Sequence, residues 1–406
     1  MVQATSLYFH IPFCNRRCGY CDFNTFAGMK SLLPEYVKAL CQEVKMTAES
    51  AEERIPVGTI FFGGGTPSLM TVEQVGQVLD TVRASFDLQV GVEITLEANP
   101  GTVNYNYLRD LRLTGVNRLS LGMQSAHPDD LRMLDRQHRH EDLIRAVAWS
   151  KEARFMHINL DLIFGIPGQT LDRWQNTLDL ALMENVDHFS LYSLSVEEGT
   201  PLQRCVNRGL LHLPEDETSA AMYEIAMDRL AAAGYQQYEI SNWARQDEME
   251  NRCRHNLQYW RFLPYLGFGA GAHGFFNGVR TENCGEIGEY LERMRLASEM
   301  VFPAGPAAIQ RDVLSIWDQM QEYLMVGFRL TEEGISTRDF KTRFGHAVDE
   351  FFQKQITRLQ RQGLIERHPH DADRLRLTRR GRMFGNQVFS DFVGNRIPAG
   401  LRDSPY

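Results

Sequence analysis

The chain has 406 residues, 43% of them hydrophobic and 23% charged, with a formal net charge of −9. That composition suits an ordinary globular protein of two or three domains, at roughly 100–200 residues each, and its acidity argues against broad binding to nucleic acid or to an anionic membrane. No run approaches the ~18 apolar residues of a transmembrane helix. Met1–Ser6 lacks the basic-then-apolar layout of a signal peptide, so a cytoplasmic protein with no integral membrane segment is expected. In that compartment the seven cysteines read as metal ligands or core residues, not as a disulfide framework.

Along the chain, short β-rich runs alternate with helical patterns. The runs are Leu7–Ile11, Thr59–Phe62, Glu93–Ala98, Arg118–Leu121, Ile158–Phe164 and His188–Leu194. Between the first two, Leu33, Tyr36, Val37, Leu40 and Val44 repeat at helical spacing. The alternation predicts βαβ units and a parallel sheet. The fold class is therefore α/β: a partial (β/α) TIM-like barrel of about six units, with an open doubly wound sheet as the alternative. Cys14, Gly63–Thr66, Glu97, Gln124 and Asp161 each fall at or just past a strand's C-terminal end, the end where a (β/α) barrel assembles its site.

From about residue 235 aromatic and glycine-rich loops take over. Gly267–Gly274 lacks the strand and the acidic partner of a dinucleotide fingerprint, and it is expected to be a tightly packed backbone segment. From 310 to 395, Val348, Phe351, Phe352, Ile356 and Leu359 predict a helix, followed by a short hairpin near Leu375–Thr378. This is a small helical, winged-helix-like domain. Its Arg374, Arg376, Arg379, Arg380 and Arg382 are expected to form a solvated face and not a nucleic-acid site. The expected division is 1–235 for the partial barrel, 236–309 for a connecting segment, 310–395 for the C-terminal domain and 396–406 for a tail.

Cys14-Asn-Arg-Arg-Cys18-Gly-Tyr-Cys21 has the spacing C-x3-C-x2-C. Three thiolates on one loop can ligate three irons of a cubane and leave the fourth iron open. A structural zinc site needs four ligands and usually a second cysteine pair, and none exists here. The spacing resembles that of the radical S-adenosylmethionine (SAM) superfamily. The resemblance implies a [4Fe–4S] cluster on Cys14, Cys18 and Cys21 and a SAM molecule chelating the open iron. It also implies roles for other residues. Gly64, Gly65 and Thr66 would meet the methionine amino group and Glu97 the ammonium. Arg136 would pair with the carboxylate, and Gln124 and Asp161 with the ribose hydroxyls.

Tyr8–Cys14 and Asp161–Thr170 resemble segments of the oxygen-independent coproporphyrinogen III oxidase family. The likeness covers nearly the whole chain, including the C-terminal domain. It implies that Tyr8 lies against the cluster and SAM, and that Ser195 lies near the adenine. The true oxidases carry a fourth cysteine two residues after the third, where this chain has Phe23, and a longer N-terminal segment.

His255-Asn-Leu-Gln-Tyr259-Trp260 resembles a motif of the HemW-type heme chaperones. The implied cargo is heme, passed to acceptor hemoproteins such as respiratory-chain enzymes, with a homodimer as one possible assembly. On this reading His255, Tyr259 and Trp260 contact heme, since imidazole is a common axial ligand and aromatic rings stack on porphyrins. Arg252 and Arg254 are candidates for the propionates and Cys253 for a second iron ligand. The alternatives are a coproporphyrinogen III dehydrogenase or a radical SAM enzyme that modifies heme.

Overall fold

The structure, a computed structural model, describes residues 4–247, 249–297, 300–398 and 401; most of the expected 396–406 tail lies outside these. Twelve strands form one sheet. In chain order they are β1 (Thr5–Ile11), β2 (Pro56–Gly64), β3 (Asp87–Ala98), β4 (Arg118–Gln124), β5 (His157–Phe164), β6 (His188–Ser193), β7 (Tyr235–Glu239), β8 (Asn242–Arg245), β9 (Tyr265–Phe268), β10 (His273–Phe276), β11 (Val279–Asn283) and β12 (Ala308–Val313). Across the sheet the order is β12-β11-β10-β9-β1-β2-β3-β4-β5-β6-β8-β7. Strands β1 to β6 run parallel, joined by crossover helices such as Leu33–Glu49, Val72–Ser85 and Leu171–Met183. These are the six expected units. Among the described residues the two ends of the sheet are not paired to each other, so the barrel is partial.

Alternation along β1 shows how the barrel is built. Leu7, Phe9 and Ile11 are buried against the surrounding helices. Tyr8 and His10 point the other way, toward the barrel interior, as period-two geometry demands. Phe9 stacks on Phe62 of β2 at 5.0 Å and on Phe268 of β9 at 5.2 Å, forming one aromatic rung across three parallel strands.

Strand β9 is a departure from the sequence reading. Gly267–Gly274 is not only a packed backbone segment: it ends β9, which pairs parallel to β1, and it turns into antiparallel β10. Residues 236–309, expected to be a connector, thus supply several strands of the main sheet. Close approach explains the glycines. A Cβ on Gly267 would sit 2.0 Å from the His273 carbonyl oxygen, and one on Gly269 would sit 2.4 Å from the Tyr36 hydroxyl.

The C-terminal region packs helices Ile316–Gly327, Thr337–Phe344 and Val348–Arg361 against a small three-stranded sheet around a second core of Trp317, Phe328, Phe340 and Phe352. Its arginines are engaged within the chain. Arg376 pairs with Glu366, Arg374 with Asp371, and Arg380 donates to the Gln362 carbonyl. Arg379 reaches Asp228 at 2.7 Å and Arg382 donates to Gln237 at 2.8 Å, so both fasten this domain to the barrel. Among the described residues, no helix is long and apolar enough to cross a membrane.

One buried carboxylate ties the first crossover helix to the late strands. Glu43 accepts hydrogen bonds from the Gly269 N–H (2.8 Å), the Asn283 amide (2.7 Å) and the Tyr290 hydroxyl (2.7 Å). Replacing Glu43 with Ala strands three buried donors. We expect Glu43→Ala to lower unfolding stability by about 3 kcal/mol or more, read as a shift in the urea midpoint at unchanged slope.

Candidate functional site

The C-terminal ends of β1 to β6 surround a cavity of about 670 Å³. Cys14, Cys18, Cys21, Gly64, Gly65, Thr66, Glu97, Gln124, Arg136, Asp161 and Ser195 all line it. Below it lies a smaller chamber of about 200 Å³ inside the barrel, which shares Glu97, Ser120, Asp161 and Tyr192 with the outer cavity. Tyr192 exposes 43% of its surface, yet that surface faces this interior.

The cysteine loop leaves β1 and is held along its length. A short parallel pair, Phe13–Cys14 with Phe26–Ala27, closes its base. Each thiol has a polar neighbour. Thr66 Oγ1 lies 3.5 Å from Cys14 Sγ, Arg136 Nη1 lies 3.9 Å from Cys18 Sγ, and Thr25 Oγ1 lies 4.0 Å from Cys21 Sγ. Burial pushes the Cys14 and Cys21 thiols upward, and the threonine hydroxyls offset part of that rise. Beyond the cysteines, the Asn24 amide donates to the carbonyls of Ala270 (3.1 Å) and Gly285 (2.8 Å), which pins the loop to the β9–β11 region.

Among the described residues no three His, Cys, Asp or Glu side chains converge on a single-ion position. All three thiols line the same cavity, and three cysteines on one loop are the donor set of a cubane with one open iron, one short of the four ligands of structural zinc. The donor set therefore fits the expected cluster.

The glycines after β2 have a physical reason the sequence does not show. Gly64 has φ 109° and a Cβ there would strike the His10 ring at 2.5 Å; on Gly65 it would meet the Phe13 carbonyl oxygen at 2.7 Å. The chain's own packing against the cysteine loop requires them. The Gly64 N–H donates to Glu97 at 3.1 Å. Burial, reinforced by the neighbouring Asp161 charge, pushes the Glu97 carboxyl up to about 8.

Opposite Glu97, the Arg136 guanidinium donates to the Gly122 carbonyl at 3.3 Å. Its Nε has no partner, and among the described residues no carboxylate lies within ion-pair distance of it. An unpaired guanidinium facing a carboxylate across one cavity matches a zwitterionic amino acid. Asp161 is oriented by Ser120 (3.0 Å) and Asn159 (2.8 Å), and burial raises its carboxyl above the usual range. Gln124 takes a left-handed backbone at φ 64° and sits beside Arg136 over Gly122. Tyr8 is not on the outer cavity. It lines the inner chamber, with its hydroxyl 3.0 Å from His10 Nδ1, one layer below the place expected for it.

The His255 segment also lies elsewhere than expected. It forms a helix, Arg254–Trp260, whose first N–H groups donate to buried Glu93 (Arg254 at 3.2 Å, His255 at 3.0 Å). A carboxylate is the favoured partner at a helix N-terminus. His255 is 1% exposed, and both ring nitrogens are bonded: Nδ1 to Thr59 Oγ1 at 2.7 Å and Nε2 to the Tyr259 hydroxyl at 2.8 Å. Burial lowers its imidazole to about 3, so it is neutral. The segment is the floor of the barrel. The structure places His255 on the wall of the inner chamber, with both ring nitrogens bonded to protein groups, and not on the outer cavity with the cysteines. Trp260 stacks under Arg329 at 4.3 Å, Arg252 pairs with Glu250 and Arg254 donates to the Gly91 carbonyl, so these groups are not gathered into one open site. Cys253 is likewise buried, with its thiol 3.6 Å from Glu93.

Sequence reasoning missed Thr25, Tyr20, Asp135 and Tyr192. Tyr20 lies within the cysteine motif and Thr25 just beyond it, so both were detectable by position alone. Asp135 and Tyr192 enter through tertiary contact.

The radical SAM superfamily pattern matches residues 8–181, and the HemN C-terminal domain matches 314–384. A curated relative, heme chaperone HemW of Bacillus subtilis, is 38% identical over 395 residues, covering 96% of this chain and 99% of the relative. Heme chaperone HemW of Escherichia coli is 35% identical, covering 96% and 98%. The solved coproporphyrinogen III oxidase HemN of Escherichia coli superposes with a TM-score of 0.80 at 22% identity, covering 97% of this chain and 90% of that one; this likeness bears on the fold alone. On full-length identity the chain belongs to the HemW family of the radical SAM superfamily.

Proposed function

We propose that this protein is a heme chaperone: it binds heme as cargo and releases it to acceptor hemoproteins, respiratory-chain enzymes among them, and it works in the cytoplasm. The observation that carries this reading is the near-complete, 38% identical match to a relative named for that activity. Phe23 agrees with it. The residue is 63% exposed at the mouth of the outer cavity, in the position where the oxidases would place a fourth cysteine.

Cys14, Cys18 and Cys21 hold the [4Fe–4S] cluster, whose open iron supplies a chelation point for SAM. Around it, Glu97 receives the SAM ammonium, Arg136 its carboxylate, and Asp161 and Gln124 the ribose hydroxyls; Ser195 stands at the adenine end. Thr66, Arg136 and Thr25 direct donors at the three sulfurs and stabilise them as thiolates. Tyr8 and His10 brace the Gly64 turn from below. His255 and Tyr259 face the inner chamber and are bonded to each other there, so the heme is placed outside the barrel interior. A homodimer is part of this reading, with SAM and the cluster regulating transfer.

Anaerobic titration of the cluster-loaded protein with hemin tests the function. A saturable Soret shift is expected in wild type. His255→Ala is expected to bind hemin within about twofold of wild type while losing about 2–3 kcal/mol of stability from its two broken hydrogen bonds. Tenfold weaker binding by a folded His255→Ala would restore His255 as a ligand. Absence of saturable binding in wild type, with vinyl products from coproporphyrinogen in the presence of SAM and reductant, would replace the chaperone reading by the decarboxylase.

The SAM assignment has its own pH signature. Glu97 titrates near 8 in the free protein, and a bound ammonium favours its charged form. Below pH 8 binding must therefore expel a proton. We expect SAM affinity to weaken as pH falls from 8 to 6, by at most about tenfold per unit, and to become weak and pH-independent in Glu97→Gln. A flat wild-type profile in calorimetry would sink this role for Glu97.

A further inference from the structure

We propose that Asp135 is the positioning residue of the cysteine loop, latching the Gly19 peptide so that Cys18 and Cys21 are placed before any iron arrives; this rests on the reading that Cys14, Cys18 and Cys21 hold the cluster. Asp135 follows the short helix Pro128–Met133 by two residues and has φ 54°, a left-handed conformation that aspartate tolerates better than most side chains. Its Oδ2 accepts the Gly19 N–H at 3.2 Å and its Oδ1 accepts Arg16 Nη2 at 2.7 Å.

The other backbone polar group of Gly19 is also held. The Gly19 carbonyl accepts the Leu202 N–H at 2.9 Å, one of the donors that the first turn of helix Pro201–Asn207 leaves without an intrahelical partner. Both backbone polar groups of one residue, lying between two of the three cysteines, are thus fixed from two different elements. Glycine leaves the carboxylate room to approach: a Cβ on Gly19 would stand 2.8 Å from Asp135 Oδ2 and push it away from the N–H.

The residues flanking Asp135 touch the same loop. Leu134 belongs to a small apolar cluster with Ile163 and Ile166 against which Tyr20 packs. Arg136 places Nη1 3.9 Å from Cys18 Sγ. Three consecutive residues therefore meet the loop's ring, its backbone and its sulfur. The competing view is an ordinary surface ion pair, because the Arg16 and Asp135 side chains are 58% and 35% exposed and such pairs contribute little. The two arms separate the views. The Arg16 arm is solvated and expendable, whereas the Gly19 arm satisfies a backbone donor and fixes the loop's path.

Hydrogen–deuterium exchange of the cluster-free protein reads the latch directly. Asp135→Gly relaxes the left-handed backbone but removes the carboxylate; we expect exchange at Gly19 to accelerate about tenfold or more, with other regions unchanged. Asp135→Asn keeps an acceptor oxygen and should recover most of the protection. Arg16→Ala should change it by less than about twofold. In the reconstituted protein, Asp135→Gly should lose iron to a chelator about tenfold faster and shift the cluster midpoint potential, and Arg16→Ala should do neither. Wild-type exchange at Gly19 in Asp135→Gly would overturn the latch. Protection that depends on Asp135 in a wild type that assembles no cluster would leave the latch standing and overturn the cluster assignment.

Discussion

The site depends on the parallel register of β1 between β2 and β9. That register stacks Phe9 on Phe62 and Phe268, and the next residues of each strand then leave the sheet at the same height. The Gly65 N–H bonds the Ile11 carbonyl and the Thr66 N–H bonds the Phe13 carbonyl, which carries Thr66 to within 3.5 Å of Cys14 Sγ. A slip of one residue would send Tyr8 and His10 to the outer face and bring Phe9 inside. The buried aromatic rung makes such a slip costly, and so an apolar contact governs the position of a metal ligand.

Charge inside the barrel is arranged in two layers. In the upper layer, Glu97 and Asp161 face Arg136 across the outer cavity with room between them, and the resulting donor set suits a zwitterion. In the lower layer, Glu93, Arg118, His188 and the His255 segment meet mainly one another: Arg118 approaches Glu93 at 3.8 Å, and His188 bonds Asn159 and Tyr238. The upper layer keeps Glu97 and Arg136 largely unpaired, and the lower layer, which lines the inner chamber, pairs most of its polar groups internally. That contrast separates a site from a floor better than residue type does, since both layers hold histidine, carboxylate or arginine.

The cysteine loop has no regular structure of its own beyond one two-residue strand pairing. It is held by Thr66, Asn24, Tyr20 and the Gly19 backbone, each contact joining the loop to a different element, while Thr25 braces Cys21 from within the loop. A loop restrained at many points loses little further entropy when a ligand binds, which is the physical meaning of preorganisation.

How much of this was legible beforehand follows from the range of each interaction. Local periodicity determined the six βα units, because period-two and period-3.6 patterns are properties of consecutive residues. The cysteine spacing, and the recurrence of Glu97, Gln124 and Asp161 at strand ends, likewise pointed to one cavity. Only the tertiary structure decided the rest. Gly267 and Phe268 end a seventh parallel strand because β1 offers an edge to pair with, a fact no local pattern contains. His255 has the composition of a ligand, yet it became part of the barrel floor because Thr59, Tyr259 and Glu93, distant or near in sequence, satisfy its ring and its backbone. Asp135 carried no signal at all: its importance lies in a peptide 116 positions away, and hydrogen bonds of that span exist only once the strands have set their register.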